Sequence, residues 1–330
     1  MAEAKGHVLV TGGAGYIGSH TCKALAAAGY GPVVLDSMVH GHPWAVQWGP
    51  LVEGDVRDAQ LLDSVFALFR PVAVLHFAAL TSVGESVADP GPYYDNNLGG
   101  ALALLEAMRR AGCPAVVFSS TAAVYGDPAV PGAPMDENHP LAPVNPYGRA
   151  KLAVERMLAD YGAAYGLRHM SLRYFNAAGA DPEGELGEEH DPETHLVPLA
   201  IGAALGTRGP LRVFGQDYPT PDGTCVRDYV HVADLARAHV LALGHLARGG
   251  PSGALNLGTG RGNSVREVLA AVERASGRPV PCEPAPRRAG DPGALVAAAG
   301  RARAVLGWSP GLTDLDSIVS TAWRWHAARA

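Results

Sequence analysis

The sequence predicts an α/β protein, a doubly wound parallel sheet with a smaller α/β lobe at its C-terminal end. Three observations carry that prediction. Short β-branched runs alternate with Ala-rich runs of helical period up to about Phe175, the pattern of a parallel sheet with crossover helices. The first of these runs, Val8-Leu9-Val10-Thr11, stops at a glycine turn, and a helix-forming run begins just beyond it. After Gly179 the composition shifts to connections rich in Gly, Glu and Pro, so a second lobe is expected there.

Strands are expected at His7–Val10, Val33–Asp36, Leu51–Glu53, Ala73–Phe77, Ala115–Ser119 and His169–Tyr174. Helices are expected at Tyr16–Ala28, Ala59–Phe69, Asn96–Ala111 and Pro146–Tyr165. The first lobe should span 1–178, completed by parts of 229–262, since Tyr229–Leu246 and Leu255–Gly260 can return to it. The second spans 179–330. Within it, Asp181–Asp191 reads as a long mobile loop and Thr207–Gly223 as another, the kind that closes over a ligand or binds it. A Pro/Arg-rich stretch, Val280–Pro292, precedes a terminal helix carrying Trp323 and Trp325.

Composition narrows the functional class. Of 330 residues, 48% are apolar and 18% charged, ordinary for a soluble globular enzyme. A net charge of −6 without a Lys/Arg block speaks against a nucleic-acid partner. No apolar run approaches the roughly 18–20 residues of a membrane span, so no membrane association is expected. Met1–Gly6 does not read as a signal peptide, and a cytoplasmic location is expected. Cys22, Cys113, Cys225 and Cys282 are scattered without metal spacing, so they read as reduced thiols and no metal is expected.

The glycine turn is Gly12-Gly13-Ala14-Gly15-Tyr16-Ile17-Gly18. Glycines three apart let the backbone turn tightly, approach a phosphate and pack the new helix on the strand. Free N–H groups and the positive dipole end at that helix start suit a pyrophosphate. The run Val33-Val34-Leu35-Asp36 ends in an acid about 20 residues on, where a carboxylate holds the adenosine ribose. Together they predict a Rossmann-type dinucleotide site that takes NAD rather than NADP.

The stretch Asn145-Pro146-Tyr147-Gly148-Arg149-Ala150-Lys151 opens a helix, with Asn145 as cap and Pro146 in the first position. Tyr147 and Lys151, four apart, share one face. An ammonium beside a phenol, with the field of the helix start, should bring the phenol toward neutral pH as a general base. A surface Tyr–Lys pair would look the same. Ser119-Ser120-Thr121 changes the balance: it ends an apolar strand, so its hydroxyls should emerge at the edge that carries the glycine turn. Hydroxyl, phenol and ammonium about a dinucleotide point to hydride transfer at a carbinol carbon.

These residues resemble a known family. Gly12-x-x-Gly15-x-x-Gly18, Thr121 and Tyr147-x-x-x-Lys151 look like the extended short-chain dehydrogenase/reductases. The likeness narrows to the nucleotide-sugar 4-epimerases, above all those acting on UDP-glucose and UDP-galactose. It rests on Val83-Gly84-Glu85-Ser86, Tyr93-Tyr94-Asp95-Asn96-Asn97, Arg173-Tyr174-Phe175-Asn176, Phe214-Gly215-Gln216-Asp217-Tyr218, Val226-Arg227-Asp228-Tyr229-Val230-His231-Val232 and Asn256-Leu257-Gly258-Thr259-Gly260. These stretches, with the Arg287–Asp291 region, cover essentially the whole chain.

The resemblance implies C4 inversion of a UDP-hexose, UDP-galactose to UDP-glucose, through a transient 4-keto sugar and NADH, with NAD staying bound. It implies Tyr147 as the base on the sugar 4-hydroxyl, Thr121 as its hydrogen-bonding relay and Lys151 as the holder of the nicotinamide ribose. The cofactor would be lined by Gly12, Gly15, Tyr16, Ile17, Gly18, Asp36, Asp55, Val56, Phe77, Ala78, Ala79, Thr81, Asn96, Thr121, Tyr147, Lys151, Tyr174 and Phe175. For the UDP-sugar it implies Asn176, His195, Leu196, Arg212, Arg227, Arg288 and Asp291 alongside Thr121 and Tyr147, with Phe214 stacking on uracil. Arg227 and Arg288 suit phosphate; ion pairing and a solvated loop charge are their plainer readings, and core packing is that of Phe214. His231 and Asp234 read as structural residues of a helix start. A homodimer through helices Asn96–Ala111 and Lys151–Tyr165 is implied as well.

Departures from the family pattern also matter. Thr81 stands where a Lys is common, and His195 where an Asn is common, so His195 reads as a phosphate donor or as a capping or buried residue. Leu295 occupies the position that gates the sugar C2 substituent; its intermediate size leaves UDP-N-acetylglucosamine open. Among rivals, a 4,6-dehydratase would need acids after the strand-end threonine, where this chain has Ala122-Ala123. A UDP-pentose or UDP-uronate enzyme shares the same base and cofactor. A non-catalytic NAD-binding regulator would usually have lost the Tyr–Lys pair.

Overall fold

The computed structural model describes residues 5–126, 133–288 and 292–330. Its centre is a seven-stranded sheet, parallel throughout, ordered Gly253–Leu257, Arg168–Tyr174, Ala115–Thr121, Ala73–His76, His7–Thr11, Gly31–Asp36 and Leu51–Glu53. The chain starts mid-sheet, builds outward to Leu51–Glu53, then returns to Ala73–His76 and builds the other way. Strand order therefore reverses beside His7–Thr11, and the carboxyl ends part there into a ligand crevice.

Strand periodicity explains the two cores. Val8 and Val10 pack on one face with Leu25, Leu235 and Leu243, while Leu9 between them packs on the other with Leu62, Leu104 and Leu158. With both faces covered, the strands read as unbroken apolar runs. The expected strands all form, several of them longer, such as Ala115–Thr121 and Arg168–Tyr174. Helices Tyr16–Ala27, Ala59–Phe69 and Pro146–Tyr165 also stand where expected. The chain does cross back: helix Val232–Ala247 packs on Tyr16–Ala27, and Gly253–Leu257 adds the outermost strand. Helices Leu196–Leu205, Val265–Ser276 and Leu315–Ala327 build a separate core around Ile201, Val268, Val272 and Val319.

Three expectations are corrected. Thr207–Gly223, expected as a loop, contains strand Leu211–Phe214, which pairs in parallel with Cys282–Ala285. The helix expected from Asn96 is regular only over Gly100–Ala111; Tyr94–Gly99 before it is a wider π-helical turn. That turn goes with a buried Asn97, whose side chain accepts from Leu80 N at 2.8 Å and donates to Leu80 O at 2.9 Å. The stretch Asp181–Asp191 is tied down rather than mobile. Lys23 Nζ reaches Asp181 at 2.8 Å and Glu183 and Glu185 at 2.6 Å, and Leu186 is fully buried. Its acids suggested a solvated loop only because their partner lies far away in sequence.

Glu155 and Arg173 join helix Pro146–Tyr165 to strand Arg168–Tyr174 by a buried ion pair, their side chains 8% and 5% exposed, with Arg173 Nε donating to Oε1 at 2.9 Å. Breaking such a pair strands a buried charge, at a cost of about 3–5 kcal/mol. Glu155→Gln should therefore lower the unfolding free energy by about that amount. Arg110→Ala, which removes the exposed pair with Asp63, should cost under about 1 kcal/mol. Denaturant titration measures both, and equal losses would refute the assignment.

Candidate active site

The glycine turn is built for close approach. Gly12 has φ +73°, and a Cβ there would meet Ala78 N at 2.6 Å; a Cβ on Gly18 would meet Gly12 O at 2.1 Å. The helix that follows starts behind Gly15 with no side-chain cap and no acid in its first turn. Its N–H groups and dipole are thus left for an anion, as a pyrophosphate requires. Asp36, ending the next strand, is buried and accepts from Ala14 N and Met38 N, each at 3.0 Å. A carboxylate has about four lone-pair sites, so acceptors remain for a ribose diol. The residues present fit a dinucleotide.

Helix Pro146–Tyr165 lies along the end of strand Ala115–Thr121. Asn145 caps it, accepting from Gly148 N at 2.8 Å. Residues of one helix face then meet the strand: Tyr147 stands beside Thr121, Lys151 Nζ donates to Ser119 O at 2.9 Å, and Glu155 accepts from Ser120 Oγ. Lys151 Nζ is 5.9 Å from the centroid of the Tyr147 ring and 4.9 Å from that of Phe118. Thr121 Oγ1 also accepts from Ala123 N at 3.1 Å, and Ser119 Oγ pairs with the Tyr174 hydroxyl.

The expected electrostatics do not hold in the chain by itself. Burial pushes the Tyr147 phenol up to about 12, with the Thr121 hydrogen bond pulling only partly against it. Burial also pushes Lys151 down to about 7. An ammonium without an anion beside it gives up its proton readily, so it does little for the phenolate.

The remaining cofactor candidates gather around strand ends of the same edge. Ala78 N donates to Thr11 O at 3.0 Å, with Ala79 following; Phe77 packs against His239, ring centroids 4.6 Å apart. Val56 is buried, Ile17 joins the core, and Asn96 donates to Asn97 at 2.9 Å. Thr81 is exposed. Tyr16 donates its hydroxyl to Gly179 O at 2.6 Å, which commits its tip to the second lobe. Asp55 is engaged by Arg57, whose guanidinium holds the carboxyl below its usual range.

Where the two lobes meet, strand Asn176–Ala178 pairs with Tyr229–His231, and Arg227 is the register partner of Leu295. Leu295 and Phe175 pack together on Ala122, Val124, Tyr125, Met135 and Leu152, beside the catalytic strand end. Arg288 stands 4.0 Å and Arg212 5.2 Å from the centroid of Phe214, so the ring expected to stack on a base carries guanidinium instead. His195 precedes Leu196, the first residue of its helix, without capping it by its side chain; its Nδ1 lies between Glu188 at 2.9 Å and Glu193 at 3.1 Å. His231 and Asp234 are structural as expected, accepting from Ala233 N and from Gly311 N and Leu312 N. Asp291 lies outside the described residues. Sequence reasoning gave no role to Glu155, to Asn97 or to the Glu188–Glu193 pair. For Glu155 a signal existed: it stands one helical turn beyond Lys151.

Comparison with known proteins places this geometry. Residues 8–258 match the model of the NAD dependent epimerase/dehydratase family. The chain is 58% identical over 323 residues to a UDP-glucose 4-epimerase of Rhizobium meliloti, covering 98% of each. It superposes with TM-score 0.93 and 55% identity on a UDP-glucose 4-epimerase from Brucella ovis in complex with NAD, covering 97% of this chain and 98% of that one. A UDP-glucose 4-epimerase from Bifidobacterium longum in complex with NAD+ and UDP gives TM-score 0.92 at 40% identity, covering 98% of each.

The buried lysine makes a signed prediction for the cofactor-free protein. Its folded pKa is about 7 against 10.5 for an unperturbed lysine. Between those values the unfolded chain holds the proton and the folded chain does not, so this residue's contribution to stability rises with pH. Lys151→Met should raise stability relative to wild type most near pH 7 and progressively less toward pH 10. Unfolding midpoints across that range measure it, and a difference independent of pH would show that the folded chain keeps the ammonium.

Proposed function

The chain belongs to the NAD dependent epimerase/dehydratase family, and from that premise we propose that it inverts C4 of a UDP-hexose, interconverting UDP-galactose and UDP-glucose around a retained NAD. One observation carries the reading: Tyr147 beside Thr121, with buried Lys151 next to it, at the sheet edge that carries the glycine turn. Similarity along nearly the full chain to UDP-glucose 4-epimerases supports it. Ala122-Ala123 after Thr121 offers no acid for dehydration, and the intact Tyr147–Lys151 pair disfavours a non-catalytic regulator.

When bound, NAD supplies the hydride acceptor and donor at C4 and the positive charge of its nicotinamide ring. Tyr147 takes the proton of the 4-hydroxyl, and Thr121 holds that hydroxyl in line. Lys151, held by Ser119 O, grips the nicotinamide ribose. Once C4 is a flat carbonyl, addition to its two faces gives opposite configurations, so inversion requires the sugar to turn over while its pyrophosphate stays fixed. Asn176, Arg227 and Arg288 are the residues we assign to that grip, with His195 and Leu196 at the helix start and Arg212 and Phe214 toward the base. Guanidinium suits phosphate because its fork donates two parallel hydrogen bonds. Tyr147 then returns its proton to the inverted alkoxide.

We further assign the protein to galactose metabolism in the cytoplasm, as a homodimer joined through helices Gly100–Ala111 and Pro146–Tyr165, which expose Leu102 and Tyr165. Leu102→Glu should convert a dimer to a monomer in sedimentation at micromolar concentration; a wild-type monomer would refute the assembly.

The chemistry is tested by mixing the purified protein with UDP-galactose and no added NAD, and following UDP-glucose. Conversion is expected, with slower turnover of UDP-N-acetylglucosamine because Leu295 leaves only intermediate room beside C2. Tyr147→Phe should keep its NAD yet lose about 10²–10⁴-fold in turnover. Turnover near wild type in that variant would exclude Tyr147 as the base.

A further inference from the structure

The stretch leading into helix Leu196–Leu205 carries a donor set that the proposed chemistry leaves unexplained. In Glu188-x-His190-x-x-Glu193-x-His195, each named side chain brings one donor atom, and all four atoms lie within 4.8 Å of one another. His190 Nδ1 stands 3.3 Å from Glu188 Oε1 and 3.7 Å from Glu193 Oε2. His195 Nδ1 stands 2.9 Å from Glu188 Oε1 and 3.1 Å from Glu193 Oε1. A tetrahedral ion with bonds of about 2.0–2.1 Å holds its ligand atoms about 3.3 Å apart, so these separations need little adjustment to close on one.

Two further observations point to a cation. His190 Nδ1 is buried and makes no hydrogen bond, so the nitrogen sits among carboxylates without aiming at one as a donor should. Glu188 and Glu193 are themselves 5% and 4% exposed, two carboxylates side by side out of water. Two imidazolium protons could balance them, and so could one divalent ion on two neutral imidazoles. The nearby group Asp181, Glu183 and Glu185 already holds a cation of its own, because Lys23 Nζ lies within hydrogen-bonding reach of all three.

We propose that Glu188, His190, Glu193 and His195 bind one divalent first-row transition ion of the zinc type. Two imidazoles and two carboxylates suit zinc or cobalt(II), whereas magnesium and calcium favour oxygen ligands throughout. Four protein donors make the site structural, a clamp on the connection between the two lobes. A cavity of about 610 Å³, lined among others by Trp44, His190, Glu193, Arg208 and Arg329, gives the ion a way in. With Nδ1 on the metal, the ring proton of His195 is fixed on Nε2 as an outward donor. Of the four ligands only His195 is shared with the phosphate grip assigned above; Glu188, His190 and Glu193 take no part in it.

The test uses untagged full-length protein, stripped with a chelator and titrated with zinc by calorimetry near neutral pH. One ion per chain should bind with a Kd of micromolar or tighter, and His190→Ala or Glu188→Gln should weaken it about 10-fold or more. Cobalt(II) in the wild type should give the strong visible absorption of a tetrahedral site, and excess zinc should bleach it. This second readout needs no variant to fold. Absence of stoichiometric binding, the weak spectrum of a six-coordinate ion, or an affinity unchanged in both variants would each overturn the proposal.

Discussion

Everything at the site depends on one helix face packed against one strand end. Tyr147, Lys151 and Glu155 recur at one helical turn and meet Thr121, Ser119 and Ser120, consecutive residues of a strand. The contacts do not advance in step along the strand: Lys151 reaches back to the Ser119 carbonyl, while Glu155 meets the Ser120 hydroxyl. The pairing continues outward. Glu155 holds Arg173 on the next strand, Arg173 donates to the Tyr125 hydroxyl at 3.0 Å, and Tyr125 donates to Asn256 at 2.6 Å on the outermost strand. Helix, catalytic strand and sheet edge are one hydrogen-bonded body.

Burial here serves position at the expense of ionisation. The contacts that fix Lys151 are a carbonyl oxygen and two aromatic rings, none of which carries a charge. The same enclosure that orders the phenol and the amine drives both toward their neutral forms. Under the proposed mechanism, the positive nicotinamide ring would supply the charge that the protein alone lacks there.

Legibility in the sequence followed distance along the chain. The glycine turn, the strands with their apolar runs and the Tyr147–Lys151 spacing are local patterns, and their placement in the fold was readable. The carboxyl-edge convergence of Thr121 with the turn followed from parallel topology. What escaped depended on partners elsewhere: Lys23 gathering the acids of a loop more than a hundred residues away, Asn97 drawn inward to Leu80, Arg288 over Phe214. The phenol's acidity was misjudged for a related reason, since adjacency of Tyr147 and Lys151 is visible in sequence while their depth is not.

The late strand Gly253–Leu257 has a consequence for how the protein is made. It pairs with Arg168–Tyr174, and Asn256 within it ties down Tyr125 and Met135. During synthesis at roughly 5–20 residues per second, that edge waits several seconds after Tyr174 emerges before its neighbour exists. For that interval a nascent chain on the ribosome displays a naked hydrogen-bonding ladder, an invitation to wrong strands from other chains. The reach of one late strand into the catalytic half thus creates a window in which a chaperone has something specific to shield.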